Sequence, residues 1–199
     1  MEKEFYIIFG RSGSGKGTQA ELLKKHLEEQ GHANVLYVTT GGGFREFIAG
    51  PSYAAQISRE ITNKGGLNPS FLAIWNWSNI FIKHLSGSET VILDGAPRRV
   101  EEVAPLQNAA EFFGYNRTRV IYLDVSETWA TDKLISRGRE DDNESAEQHR
   151  KMKWFNEDML PCIEFYKNNP ACTYIHINGE QSIEEVHEEV VNKLHEIRH

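Results

Sequence analysis

The chain has 199 residues, enough for one well-buried domain with small inserted flaps and too few for two independent ones. Its formal net charge of −7 and pI near 5.6 argue against nucleic acid or an anionic membrane as the main partner, since both demand a basic surface. An anionic small molecule is compatible with this charge only if its site concentrates positive groups locally.

In chain order, the apolar run Phe5 to Phe9 reads as a first strand. It opens directly into Gly10-Arg11-Ser12-Gly13-Ser14-Gly15-Lys16-Gly17-Thr18, followed by a helix-like segment from Gln19 to Glu29. This is the context of a phosphate-binding loop. Closely spaced glycines let backbone N–H groups point inward, the helix adds the positive end of its dipole, and Lys16 can reach the outer phosphates. A plain glycine-rich turn is the alternative, and the agreement of motif and flanks argues against it. Gly17 stands where a Ser or Thr after the lysine would ligate magnesium, so the hydroxyl comes one residue later, at Thr18.

The further predicted strands are Val35 to Val38, Thr90 to Leu93, Arg119 to Asp124 and Cys172 to Ile177. Short β-branched and aromatic runs alternating with longer segments of helical period predict an α/β fold, a five-stranded parallel sheet flanked by helices. Between the second and third strands lies a wholly helical stretch, longer than one crossover needs, which predicts a helical flap beside the site. Phe71, Trp75, Ile82 and Leu85 are expected on the core-facing side of its last helix.

No apolar stretch is long enough to cross a bilayer, the first apolar run is too short for a secretory leader, and the only cysteines are Cys162 and Cys172. The expectation is a reducing, cytoplasmic setting with no membrane partner. His195-Glu196-Ile197-Arg198-His199 fits the HExxH zinc pattern in form. It occupies a last helical turn with no downstream third ligand, where histidines are favoured by the dipole alone.

The third strand ends in Leu93-Asp94-Gly95-Ala96-Pro97-Arg98. Ligands of an open parallel sheet lie beyond the carboxyl ends of the strands, which brings Asp94 close to the phosphates held by the loop. Thr18 and Asp94 are therefore expected to hold Mg²⁺ largely through its water shell. The other reading of Asp94 is a turn-former before Gly95.

These residues resemble the adenylate kinases within the nucleoside monophosphate kinases. The loop reads GSGKGTQ; the second strand runs into Thr39-Thr40-Gly41 with Arg45 following; the third gives LDGAPR where the family has LDGFPR. Then come Lys133 through Arg139, Asp141-Asp142-Asn143 and Arg150. The resemblance spans nearly the whole chain and implies a single P-loop nucleoside monophosphate kinase domain over 1–199. It divides into a core (1–38, 88–137 and 143–199), a flap binding the monophosphate (about 40–70) and a very short lid (about 138–142).

The resemblance also implies the site. The ATP side comprises Gly13, Ser14, Gly15, Lys16, Gly17, Thr18, Lys133, Arg137 and Gln181. The acceptor side comprises Thr40 against the base, Gly41, Arg45, the backbone around Leu67, Gly95, Arg98, Glu102, Arg139 and Arg150. Catalysis falls to Lys16, Asp94, Arg98, Arg137, Arg139 and Arg150, because phosphoryl transfer needs alignment and neutralised oxygen charge more than covalent help.

The chain also departs from the family. A single residue separates Arg137 from Arg139, which cuts the lid to a tight turn and excludes a four-cysteine zinc lid. Asp141 and Asp142 match lid residues and equally suit the start of the next helix. Lys133 replaces an arginine that lies on the donor adenine, so donor selection should be loose. Gly42 replaces an aspartate. Glu102 stands where a glutamine reads the acceptor adenine; an ionised carboxylate is acceptor-only and suits the N1 and N2 donors of guanine better. The competing reading turns Glu102 to solvent and gives the base to Gln107.

The expected activity is Mg²⁺-dependent transfer of the ATP γ-phosphoryl to a monophosphate, AMP first, by a monomer. A GMP or pyrimidine monophosphate kinase of the same fold is the alternative. An ATP-binding regulatory protein with little turnover is the alternative of another class. Arg45 and Arg98 argue against a mere switch, and no guanine-reading NKxD segment is present.

Overall fold

Alternation along the first strand explains why the sheet is buried on both faces. In β1 (Phe5–Gly10), Phe5, Ile7 and Phe9 enter one apolar cluster, and Tyr6 and Ile8 enter the other. The computed structural model describes residues 3–64, 66–137 and 145–197, without the side chains of 137 and 145–147. Its remaining strands are β2 (Val35–Thr39), β3 (Thr90–Asp94), β4 (Thr118–Asp124) and β5 (Cys172–Asn178). All pairings are parallel, in the order β2-β3-β1-β4-β5. The five predicted strands are therefore present, each within a residue of its expected ends.

The helices are α1 (Lys16–Glu29), α2 (Thr40–Ala49), α3 (Tyr53–Asn63), α4 (Ser70–His84), α5 (Val103–Phe112), α6 (Glu127–Arg137), α7 (Ser145–Trp154), α8 (Leu160–Lys167) and α9 (Ile183–Ile197). A 3₁₀ turn, Val100–Glu102, leads into α5, and a π turn, Phe155–Met159, joins α7 to α8. Helix α1 buries Ala20, Leu23 and Leu27, and α9 buries Val186, Val190 and Leu194. That spacing of three or four residues gives each one apolar stripe, and the two helices cover one sheet face together. Helices α5 and α8 help cover the opposite face, around Leu106, Ile163 and Tyr166.

The predicted face of α4 is corrected. Phe71 and Ile82 are 66 % and 74 % exposed, Trp75 lies outside against Phe47, and Leu85 falls past the helix end, packed only at the rim. The core side is Leu72, Trp77 and Phe81. Trp77 packs on Phe81, which meets Phe5 edge to face.

All five strands end where the apolar run stops: Gly10, Thr39, Asp94, Asp124 and Asn178. Their carboxyl ends share one edge of the sheet, and the cleft opens there.

Candidate active site

The loop after β1 takes its shape from glycine. Gly13 has φ of 92°, and a Cβ there would lie 2.3 Å from the carbonyl oxygen of Ala130 on α6. Only glycine permits both the left-handed backbone and that approach. Gly15 precedes the first turn of α1, the Ser14 N–H donates to Arg11 C=O (3.1 Å), and the Gln19 N–H donates to Gly15 C=O (3.0 Å). Lys16 Nζ lies over the loop and donates to the carbonyls of Gly10 and Arg11, both at 2.8 Å. Thr18 is exposed at the cleft rim.

Asp94 emerges from β3 beside this loop. Its Oδ2 accepts from the Tyr37 hydroxyl (3.2 Å), and burial together with that carboxylate pushes the phenol's pKa far up, so it remains a donor. The next residue, Gly95, has φ of 88°, and a Cβ there would lie 2.6 Å from Thr40 Oγ1. The Thr40 hydroxyl is shared between the carbonyls of Gly95 (2.8 Å) and Asp94 (3.3 Å). Thr40, expected against a base, thus spends its hydroxyl joining α2 to the end of β3. Asn76 on α4 donates to Thr40 C=O (3.0 Å) and fixes the same corner.

Arg98 and Glu102 form the second charged group. Arg98 Nε donates to Gly95 C=O (2.9 Å), and the Arg98 backbone N–H donates to Glu102 Oε2 (3.0 Å). Burial lowers the pKa of the Arg98 guanidinium; the charges of Glu102 and Asp94 oppose this, and Arg45 reinforces it. Glu102 is 2 % exposed, so the reading that turned it to solvent fails. Burial also raises its carboxyl pKa, against the Arg98 N–H bond and the charges of Arg98 and Arg99. It lines the cleft, and Gln107 does not.

The cleft measures about 980 Å³, at the upper end for small-molecule sites. Among the described residues its walls carry Lys16, Arg45, Arg98, Arg99, Lys133 and Lys151 against Glu21, Asp94, Glu102 and Asp158. The site is net basic in a chain of charge −7, the local concentration that an anionic ligand requires. The lining also takes in Gly41, Phe44, Leu67 and Asn68 from the stretch between β2 and α4, and Trp129, Gln181 and Ile183 from the elements that follow β4 and β5.

Sequence reasoning missed Tyr37, Asn76, Trp129 and Lys151, none of which belongs to a motif. Lys133 Nζ sits 4.9 Å over the Trp129 ring. The Gln181 amide donates to Asn178 C=O and to Glu189, both at 2.8 Å, and so braces its loop. Arg150 is half-buried on α7 and is not among the cleft-lining residues, where Lys151 stands instead. Arg139, Asp141, Asp142, Asn143, the predicted lid and the side chain of Arg137 lie outside the described residues.

Comparison with known proteins agrees with this geometry. The family model described as Adenylate kinase matches residues 8–171. Adenylate kinase 1 of Nostoc sp. (strain PCC 7120) is 30 % identical, over 92 % of this chain and 95 % of its own length. The adenylate kinase of Encephalitozoon cuniculi is 31 % identical, over 96 % and 97 %. That of Prochlorococcus marinus (strain MIT 9515) is 34 % identical, over 89 % and 92 %. With matches that run through loop, cleft and sheet alike, the chain belongs to the adenylate kinase family and is a phosphotransferase.

Proposed function

We propose that the protein transfers the γ-phosphoryl of ATP to AMP, yielding two ADP. The observation that carries this reading is the meeting, in one cleft, of a phosphate-binding loop and a second cationic corner, Arg45 and Arg98, with Asp94 between them. A protein that only bound ATP would not need the second corner.

In this reading residues 13–18 hold the donor phosphates, Lys16 exchanging its carbonyl partners for phosphate oxygens. Helices α2 and α3, within residues about 40–70, form the acceptor flap. Arg45 and Arg98 orient the acceptor phosphate in line. One of its oxygens bonds to the γ-phosphorus as the bond from that phosphorus to the β–γ bridging oxygen breaks, and ADP leaves with that oxygen. Arg137, Arg139 and Arg150 take the roles that the family resemblance gives them, neutralising the equatorial oxygens. Thr18 and the Asp94 carboxylate offer hard oxygen ligands at the phosphate end, which fits Mg²⁺ held largely through water; when bound it shields phosphate charge.

The deciding experiment is a coupled assay with ATP and, in turn, AMP, GMP, CMP and UMP. Transfer to AMP at the highest kcat/KM supports the reading. Efficient transfer to another monophosphate reassigns the acceptor, and none to any favours a regulatory binder. Among the described residues no helix is long and apolar enough to cross a membrane. We read the protein as a cytoplasmic monomer, which light scattering and fractionation check.

A further inference from the structure

Glu102 is the group in the cleft whose state the proposed chemistry leaves open. Its residue is 2 % exposed, yet among the described residues only one carboxyl oxygen, Oε2, has a partner, the Arg98 backbone N–H. Among the described residues Oε1 has no hydrogen-bond partner, and it is not among the sealed, unsatisfied atoms of the cleft-lining residues. A carboxyl oxygen in such a place is open to a polar group of a ligand that enters the cleft, in exchange for water.

Two ligand edges fit, one for each state of the acid. When neutral, Oε1–H is a donor and the spare lone pair of Oε2 an acceptor, which is the pattern a glutamine amide presents. Adenine meets it with N1 accepting and the N6 amino group donating. When ionised, both oxygens only accept, and guanine meets them with donors at N1 and N2. We propose that Glu102 selects the acceptor base through its own protonation, favouring adenine when neutral and guanine when ionised. The inference rests on the acceptor site read above. The proton exchanges with solvent, and no bond other than O–H is made or broken.

The surroundings hold the Glu102 carboxyl above the usual carboxylate range. Burial raises the carboxyl pKa most; the Arg98 N–H bond and the charges of Arg98 and Arg99 lower it, and Glu101 adds to the rise. Among the described residues, the face that packs over the turn adds Cys162 and Asp158. Helix α4 brings the Ser70 hydroxyl to Glu101 (3.0 Å), and its own ionisable side chains, Lys83 and His84, sit in its last turn. The stretch Val103–Ala110 of α5 has none. A raised folded value means the neutral form persists to higher pH than in a free glutamate and is lost as pH climbs through that value.

The test is kcat/KM for AMP and GMP from about pH 5.5 to about pH 8.5 in wild type and Glu102→Gln. Ionisation of the acceptor phosphate is common to both nucleotides and cancels in their ratio. The AMP to GMP ratio is expected to fall roughly fivefold to a hundredfold across this range in wild type and to stay flat in the variant. A flat ratio in wild type, or an equal fall in both proteins, overturns the inference while leaving the phosphotransfer reading intact. Calorimetry of AMP binding in two buffers of different ionisation enthalpy decides independently of turnover. Proton uptake greater in wild type than in Glu102→Gln supports the inference, and equal uptake, or no AMP binding at all, overturns it.

Discussion

Replacing Arg98 with alanine separates the acceptor site's catalytic role from its structural one, because the two effects are expected to differ widely in size. Arg98 Nε donates to Gly95 C=O, but that carbonyl also accepts from Thr40 Oγ1 at 2.8 Å, so truncation leaves no buried acceptor unpaired. The contact from the Arg98 backbone N–H to Glu102 survives any substitution except proline. What is lost to stability is one hydrogen bond and a half-buried charge near two carboxylates, about 1–2 kcal/mol, or a melting shift of about 2–8 °C for a chain of this size. What the proposed site would lose in catalysis is a preorganised guanidinium at the acceptor phosphate, typically about 10²–10³ in rate, or about 2.7–4 kcal/mol. Arg98→Lys keeps the charge without the planar fork and should recover only part of the rate. The assay is steady-state kinetics in both substrates beside a thermal melt. A folded Arg98→Ala protein with wild-type kcat/KM for the acceptor would refute this placement of the acceptor phosphate.

Lys16→Met should lower turnover by at least about 10²-fold with the fold retained, read by kinetics and a melt, since in the proposed site the lost charge meets phosphate, and at rest it donates to two loop carbonyls. With one residue between Arg137 and Arg139, water should compete as acceptor, so ADP release from ATP without monophosphate should exceed that of a longer-lid family member. Equal rates would show that the lid seals despite its length. Phe81→Ala should destabilise the protein by about 3–5 kcal/mol in denaturant titration, while Phe71→Ala, on the outer face of the same helix, stays within about 0.5 kcal/mol.

The sheet was legible because each strand is a short β-branched or aromatic run broken by turn residues, and the loop because Gly13, Gly15 and Lys16 sit between a strand and a helix. The face of α4 was not. Its sequence from Ser70 to His84 is apolar nearly all round, so a helical period fits Phe71, Trp75 and Ile82 as well as Leu72, Trp77 and Phe81. Burial follows whichever side meets β1 and α5, which is a tertiary fact. Tyr37 escaped notice for a similar reason: nothing local says that its hydroxyl ends at Asp94, 57 residues later. Glu102 was legible as a departure from the family pattern, but its burial follows from a backbone N–H four residues earlier in the chain.

An acidic chain that handles two anionic nucleotides has to confine its positive groups and keep them from collapsing onto its own carboxylates. At Lys16 and Arg98 backbone carbonyls serve as resting partners, whereas Arg99 pairs with Asp158 (3.4 Å) at the cleft wall. Lys16 rests on the carbonyls of Gly10 and Arg11, and Arg98 rests through Nε on that of Gly95. Asp94 receives a phenol and Glu102 a backbone N–H. Exchanging a carbonyl for a phosphate oxygen breaks a weaker contact than breaking an ion pair would, which leaves more of the charge–phosphate attraction for binding and for the transition state. The outer surface repels polyanions at large, and the cleft attracts those small enough to enter it.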